Sequence, residues 1–110
     1  MGEVHIIAIF TPKPGKVDRL SELLAAQVAE VHAKEDYCLR FIVTKQINEE
    51  TPDFVLFETY KSEASIDQHL KEPHFLQMSK TLGAEDVLTK KPYVAKTITT
   101  GGFDLDMKLM

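Results

Sequence analysis

"CLRFIVTKQINEETPDFVLFETYK", residues 38–61, is the stretch on which the fold turns. Its first ten residues alternate β-branched and aromatic side chains with polar ones, "NEETPD" supplies a turn, and "FVLFETYK" returns. That pattern predicts a β-hairpin from Cys38 to Lys61. Upstream, Val17, Leu20, Leu23, Leu24, Val28 and Val31 recur at steps of three and four, the stripe of an amphipathic helix that should end near Ala33 to Glu35. "PKPGK" separates this helix from Val4–Thr11, a β-branched, apolar run with so little alternation that it reads as a strand covered on both faces. Downstream, Ser62 is a good N-cap for "EASIDQHLK". Pro73 interrupts that helix, and a second helical piece, "PHFLQMSKTL", stops at Gly83. "AEDVLTKKP" is a connector and "YVAKTITT" a last strand, after which "GGFDLDMKLM" is either frayed or laid on a partner.

The order strand, helix, strand, strand, helix, strand predicts an α+β fold. Its form is a ferredoxin-like sandwich, an antiparallel four-stranded sheet with the helices on one face. Residues 1–102 form the single domain and 103–110 a C-terminal tail. Helices on one face leave the other bare, yet Ile6, Ile7, Ile9, Phe10, Val55 and Phe57 place apolar groups on both. An identical subunit is the simplest cover, so a homodimer is expected. Composition is that of an ordinary globular protein, 44% hydrophobic and 27% charged. The formal charge of -4, with no run of lysines or arginines, gives nucleic acid nothing to grip. "MGEVHIIAIF" is too short an apolar run to span a bilayer and lacks a basic leader, so no membrane association is expected. The single cysteine, Cys38, fits a reducing, cytoplasmic setting.

The chemistry-bearing residues concentrate in "HLKEPHFLQM", residues 69–78. In one regular helix, two histidines five positions apart point about 140° away from each other and cannot share a metal. No third nitrogen, sulfur or close carboxylate is suggested nearby, so no metal site is expected, and no glycine loop suggests a flavin. A kink at Pro73 would bring both imidazoles onto one concave wall beside Glu58 and Tyr60. Plainer readings stand beside this one. His69 is equally a half-buried residue with its nitrogens bonded to backbone, and His74, in a helix's first turn, a neutral ring. Glu58 shares a strand face with Phe54, Leu56 and Tyr60, where a carboxylate is first expected in an ion pair. Phe75, Met78 and Leu82 read as a core stripe. Cys38 has only Arg40 as a basic neighbour, poor support for a nucleophile.

"PKPGKVDRL", "CLRF" and "FETYKSEASIDQHLKEPHF" resemble the antibiotic biosynthesis monooxygenase (ABM) domain family, small dimeric α+β barrel proteins. Pro14, Gly15, Cys38, Glu58, Tyr60, His69, Leu70, Pro73, His74 and Phe75 stand at the places of the family's motifs. Asp36 and Tyr37 depart from a common Pro-Gly, and Tyr60 from the commoner Trp. The resemblance implies a cofactor-independent monooxygenase oxidising a small aromatic, phenolic or quinol compound in a pocket between sheet and helices. His69 would be the catalytic base and Tyr60 would orient the substrate hydroxyl. Phe41, Phe75 and Met78 would form apolar walls, with Glu58 and His74 also binding substrate. Haem is disfavoured, because the position of the haem-degrading branch's histidine ligand holds Ser79. Two alternatives stay open: an isomerase or tautomerase of a small phosphorylated dione, with Lys61 or Arg40 holding the anion, and a non-enzymatic dimeric binding or stress-response module.

Overall fold

The computed structural model describes residues 2–110. Seven elements follow in order: β1 (Val4–Phe10), α1 (Val17–Lys34), β2 (Cys38–Lys45), β3 (Phe54–Tyr60), α2 (Glu63–His69), α3 (Pro73–Ala84) and β4 (Tyr93–Thr97). The strands form one antiparallel sheet in the order β2-β3-β1-β4, with the apolar β1 and β3 at its centre. This is the ferredoxin-like arrangement expected. Ser62 caps α2, its hydroxyl accepting from the Ser65 N–H at 3.3 Å. Pro73 begins α3, where the missing N–H costs no helical bond.

One face of the sheet carries the core. Ile6, Ala8, Phe10, Phe54 and Leu56 pack there against Leu20, Leu24, Ile66, Met78 and Leu82 from the helices. β2 reaches this face through an irregularity: its register shifts between Cys38 and Arg40. The extra residue lets Cys38 and Phe41 both pack toward the core while Leu39 stays exposed. The opposite face is apolar and open in the single chain. Its central row runs Ile42, Phe57, Ile7 and Ala95 across all four strands, with Ile42 and Phe57 about two-fifths exposed.

The connector after α3 is more firmly held than its composition suggests. Val87 is fully buried, the Lys13 N–H donates to its carbonyl at 2.8 Å, and the Thr89 N–H donates to the Thr11 carbonyl at 2.9 Å. The tail turns back on itself: Phe103 bridges to Leu109, Met107 adopts a left-handed φ of 65°, and Asp104 meets Arg40 at 3.3 Å. Among the described residues, no helix is long and apolar enough to cross a membrane.

Val87 belongs energetically to the core although it lies between elements. Val87→Ala is expected to lower the unfolding free energy by roughly 1.5–3 kcal/mol in urea denaturation. Lys80→Ala, on the exposed side of α3, should change it by less than about 0.5 kcal/mol.

Candidate active site

Two helices, not one, carry the histidines. His69 is the last residue of α2, and His74 lies in the first turn of α3. The 140° separation of a single continuous helix therefore does not apply. Both rings converge on Glu35, the residue that caps the C-terminus of α1 and is 2% exposed. His69 Nδ1 lies 2.6 Å from Glu35 Oε1, and His74 Nε2 bonds to Glu35 Oε2. An ionised carboxylate can only accept, so each imidazole donates through the nitrogen that faces it. His69 is thereby held with its proton on Nδ1, and in the neutral ring Nε2 carries the lone pair. That second nitrogen has no protein partner among the described residues.

A cavity of about 460 Å³ opens between the sheet and α2, α3 and the connector, and His69 lies in its wall. Ile6, Phe10, Ile66, Phe75 and Met78 make most of that wall apolar. Glu58 enters from β3 in the cross-strand row of Phe41 and Ile6. Its expected ion pair does not form among the described residues, and Tyr60 Oη donates to Oε1 at 2.6 Å instead. Burial pushes the Glu58 carboxyl up from 4.5 to about 7, reinforced by the nearby Glu35 charge and only partly opposed by the Tyr60 bond. The Cys38 thiol is likewise pushed up by burial, to about 11, which leaves it protonated and unsuited to attack.

Of the residues singled out in the sequence, Glu58, His69, Phe75 and Met78 share the cavity wall. Tyr60 is fully buried behind that wall, its ring centroid 5.4 Å from that of His69, so it reaches the cavity only through Glu58. Phe41 also stands behind it, 6.4 Å from His69. His74 meets the site through Glu35. Lys61 and Arg40 lie off the cavity, Arg40 being engaged with Asp104.

Glu35 is the close carboxylate that the sequence spacing does not suggest, separated from its partners by 34 and 39 positions. One local sign does exist. An acid at a helix C-terminus opposes the macrodipole and calls for a reason outside that helix. Each imidazole pairs directly with the carboxylate, at its own oxygen. Among the described residues, no group of three or more His, Cys, Asp or Glu is placed to hold a metal ion.

This fold belongs to a known class: the chain is a member of the antibiotic biosynthesis monooxygenase family, whose sequence profile matches residues 3–81. Rv0793 of Mycobacterium tuberculosis, provisionally named a monooxygenase, is 32% identical over 87 residues, covering 79% of this chain and 81% of its own length. Its solved structure superposes with a TM-score of 0.79 over 89% of this chain and 95% of that one, at 28% identity. A Caulobacter crescentus protein, given the family's name provisionally, shares the fold with a TM-score of 0.80 at 21% identity, covering 87% of this chain and 88% of that one.

Two outcomes follow from the site's electrostatics. Glu35→Ala removes the shared partner of two imidazoles and is expected to cost about 3–5 kcal/mol, measured by chemical denaturation. Glu58 acts through pH. Between about pH 4.5 and 7 the unfolded chain releases this proton while the folded chain keeps it, so the residue's contribution to stability declines as pH rises through that window. Melting temperatures of the parent relative to Glu58→Gln should therefore fall from acid to neutral pH.

Proposed function

We propose that the protein is an enzyme, a cofactor-independent monooxygenase acting on a small aromatic, phenolic or quinol compound bound in the 460 Å³ cavity. The observation that carries this reading is His69. A buried carboxylate fixes one of its nitrogens, and the residue stands in the wall of an apolar cavity large enough for a bicyclic or tricyclic ring system. With an anthrone-type substrate, Nε2 takes the proton of the acidic ring system, and the resulting anion is electron-rich enough to reduce oxygen. A carbon–oxygen bond then forms at the ring. Cleavage of the O–O bond leaves one oxygen as a carbonyl, while the other departs as water with the two hydrogens of the former methylene. Near neutral pH Glu58 is protonated for part of the time and donates a hydrogen bond to the developing oxyanion. Phe75 and Met78 exclude water from the intermediate. Tyr60 and Glu35 act as positioning residues, Tyr60 on Glu58 and Glu35 on His69.

The working unit in this reading is a homodimer, with the open sheet face of one subunit covered by that of another. Ile7, Ile42 and Phe57 provide the apolar centre of such a contact. The free Cys38 suits a reducing, cytoplasmic location.

Oxygen uptake with metal-stripped protein and a panel of anthrones and dihydroxynaphthalenes tests the activity, and no uptake with any of them overturns it. His69→Asn keeps an amide N–H near the Nδ1 position but removes Nε2. It should lower turnover by about a hundredfold or more with little change in melting temperature. Normal turnover by this variant would leave His69 as architecture and end its role as the base. Sedimentation at micromolar concentration should give twice the 12.4 kDa chain mass.

A further inference from the structure

The mouth of the cavity differs in charge from its interior and from the rest of the protein. Its floor is apolar with one carboxyl and one imidazole, but Lys90, Lys91 and Lys96 line its rim. Lys96 projects from β4 in the same cross-strand row as Ile6 and Glu58, which sets it on the cavity side of the sheet. It pairs with the exposed Glu63 at 3.4 Å. Lys90 and Lys91 have no ion pair or side-chain hydrogen bond among the described residues. Asp86, the one carboxylate on the rim, is occupied by Lys13. The rim thus presents an excess of positive charge on a chain whose formal charge is -4.

These lysines are also held in place. Val87 anchors the connector in the core, Thr89 ties it to the end of β1, and Pro92 confines Lys91 to extended backbone. Two free ammonium groups are therefore stationed at the cavity entrance rather than carried on a loose loop. Close to an apolar wall, where water screens poorly, they would attract an anion more strongly than lysines on open surface do.

Resting on the reading of this cavity as the substrate site, we infer that the substrate is amphiphilic. Its aromatic end enters toward His69 and Glu58, and an anionic substituent, a carboxylate, sulfonate or phosphate, stays at the mouth against Lys90, Lys91 and Lys96. The lysines are specificity-determining and take no part in the proton transfer. Such a substrate enters ring first, which presents its reacting carbon to the imidazole and leaves its charge in water.

Two fluorescent dyes that share an anilinonaphthalene body separate the ideas, one bearing a sulfonate (8-anilinonaphthalene-1-sulfonate) and one neutral (N-phenyl-1-naphthylamine). Both are titrated into the parent protein, into Lys90→Gln/Lys91→Gln and Lys90→Arg/Lys91→Arg, and into Gly83→Phe. Gly83 lies in the cavity wall, and a side chain built there meets open space, so phenylalanine should fill the cavity. The expected result is a preference of about fivefold or more for the sulfonate dye at low salt, weakened at high salt. The Gln pair should abolish that preference, the Arg pair should keep it, and Gly83→Phe should remove binding of both dyes. Equal binding of the two dyes by the parent, or a preference that survives the Gln pair, overturns the anionic-substituent inference alone. Binding of neither dye in a manner sensitive to Gly83→Phe overturns it together with the cavity reading.

Discussion

A single carboxylate organises this molecule. Glu35 lies at the end of α1, out of contact with water, and each of its oxygens receives an imidazole from a different helix. Burying an ionisable group is unfavourable unless its hydrogen-bonding capacity is filled, and here the two rings do so while tying α2 and α3 to α1. The helical layer is thus joined by polar contacts at one end and by Leu20, Leu24, Met78 and Leu82 along its length. The same contacts decide which nitrogen of His69 is available for chemistry, so the fold's internal cross-link and the proposed base are one feature.

The cavity follows from this arrangement. The break between α2 and α3 at Pro73 separates the two helices enough to leave space over β1, and the connector closes its far side. Two polar groups face that space under opposite constraints. The His69 ring is oriented by an acceptor behind it. Glu58 has only a phenol for company and is driven toward its neutral form by burial. A proton acceptor and a proton donor in one apolar chamber can work on a substrate at the same pH.

Much of the architecture was legible in the sequence because periodicity reports burial directly. The alternation in β2 and β3, the stripe on α1, the cap at Ser62 and the break at Pro73 all correspond to what the backbone does, and α1 ends at Lys34, within the range its stripe suggested. The site was legible only in fragments. His69, Glu58, Phe75 and Met78 could be named, but the partnership with Glu35 spans more than thirty positions, and no local pattern encodes it. The 140° separation of one regular helix also hid the true geometry, since two helices meeting at an angle bring together side chains that a helical wheel separates. Val87 went unnoticed for a related reason: an apolar pair, Val87 and Leu88, within a polar connector has no period to reveal it. The shift between Cys38 and Arg40 is invisible too, because an extra residue leaves the alternation on either side intact.

That each imidazole rides on its own helix gives the site a modular character. A change confined to α3 can replace His74 or reshape the wall at Phe75 and Met78 without disturbing the backbone that carries His69. A change in α2 can alter the base while α3 stays docked through its apolar stripe. A scaffold divided in this way can exchange one chemical part at a time, provided each replacement still fills the Glu35 oxygen it faces.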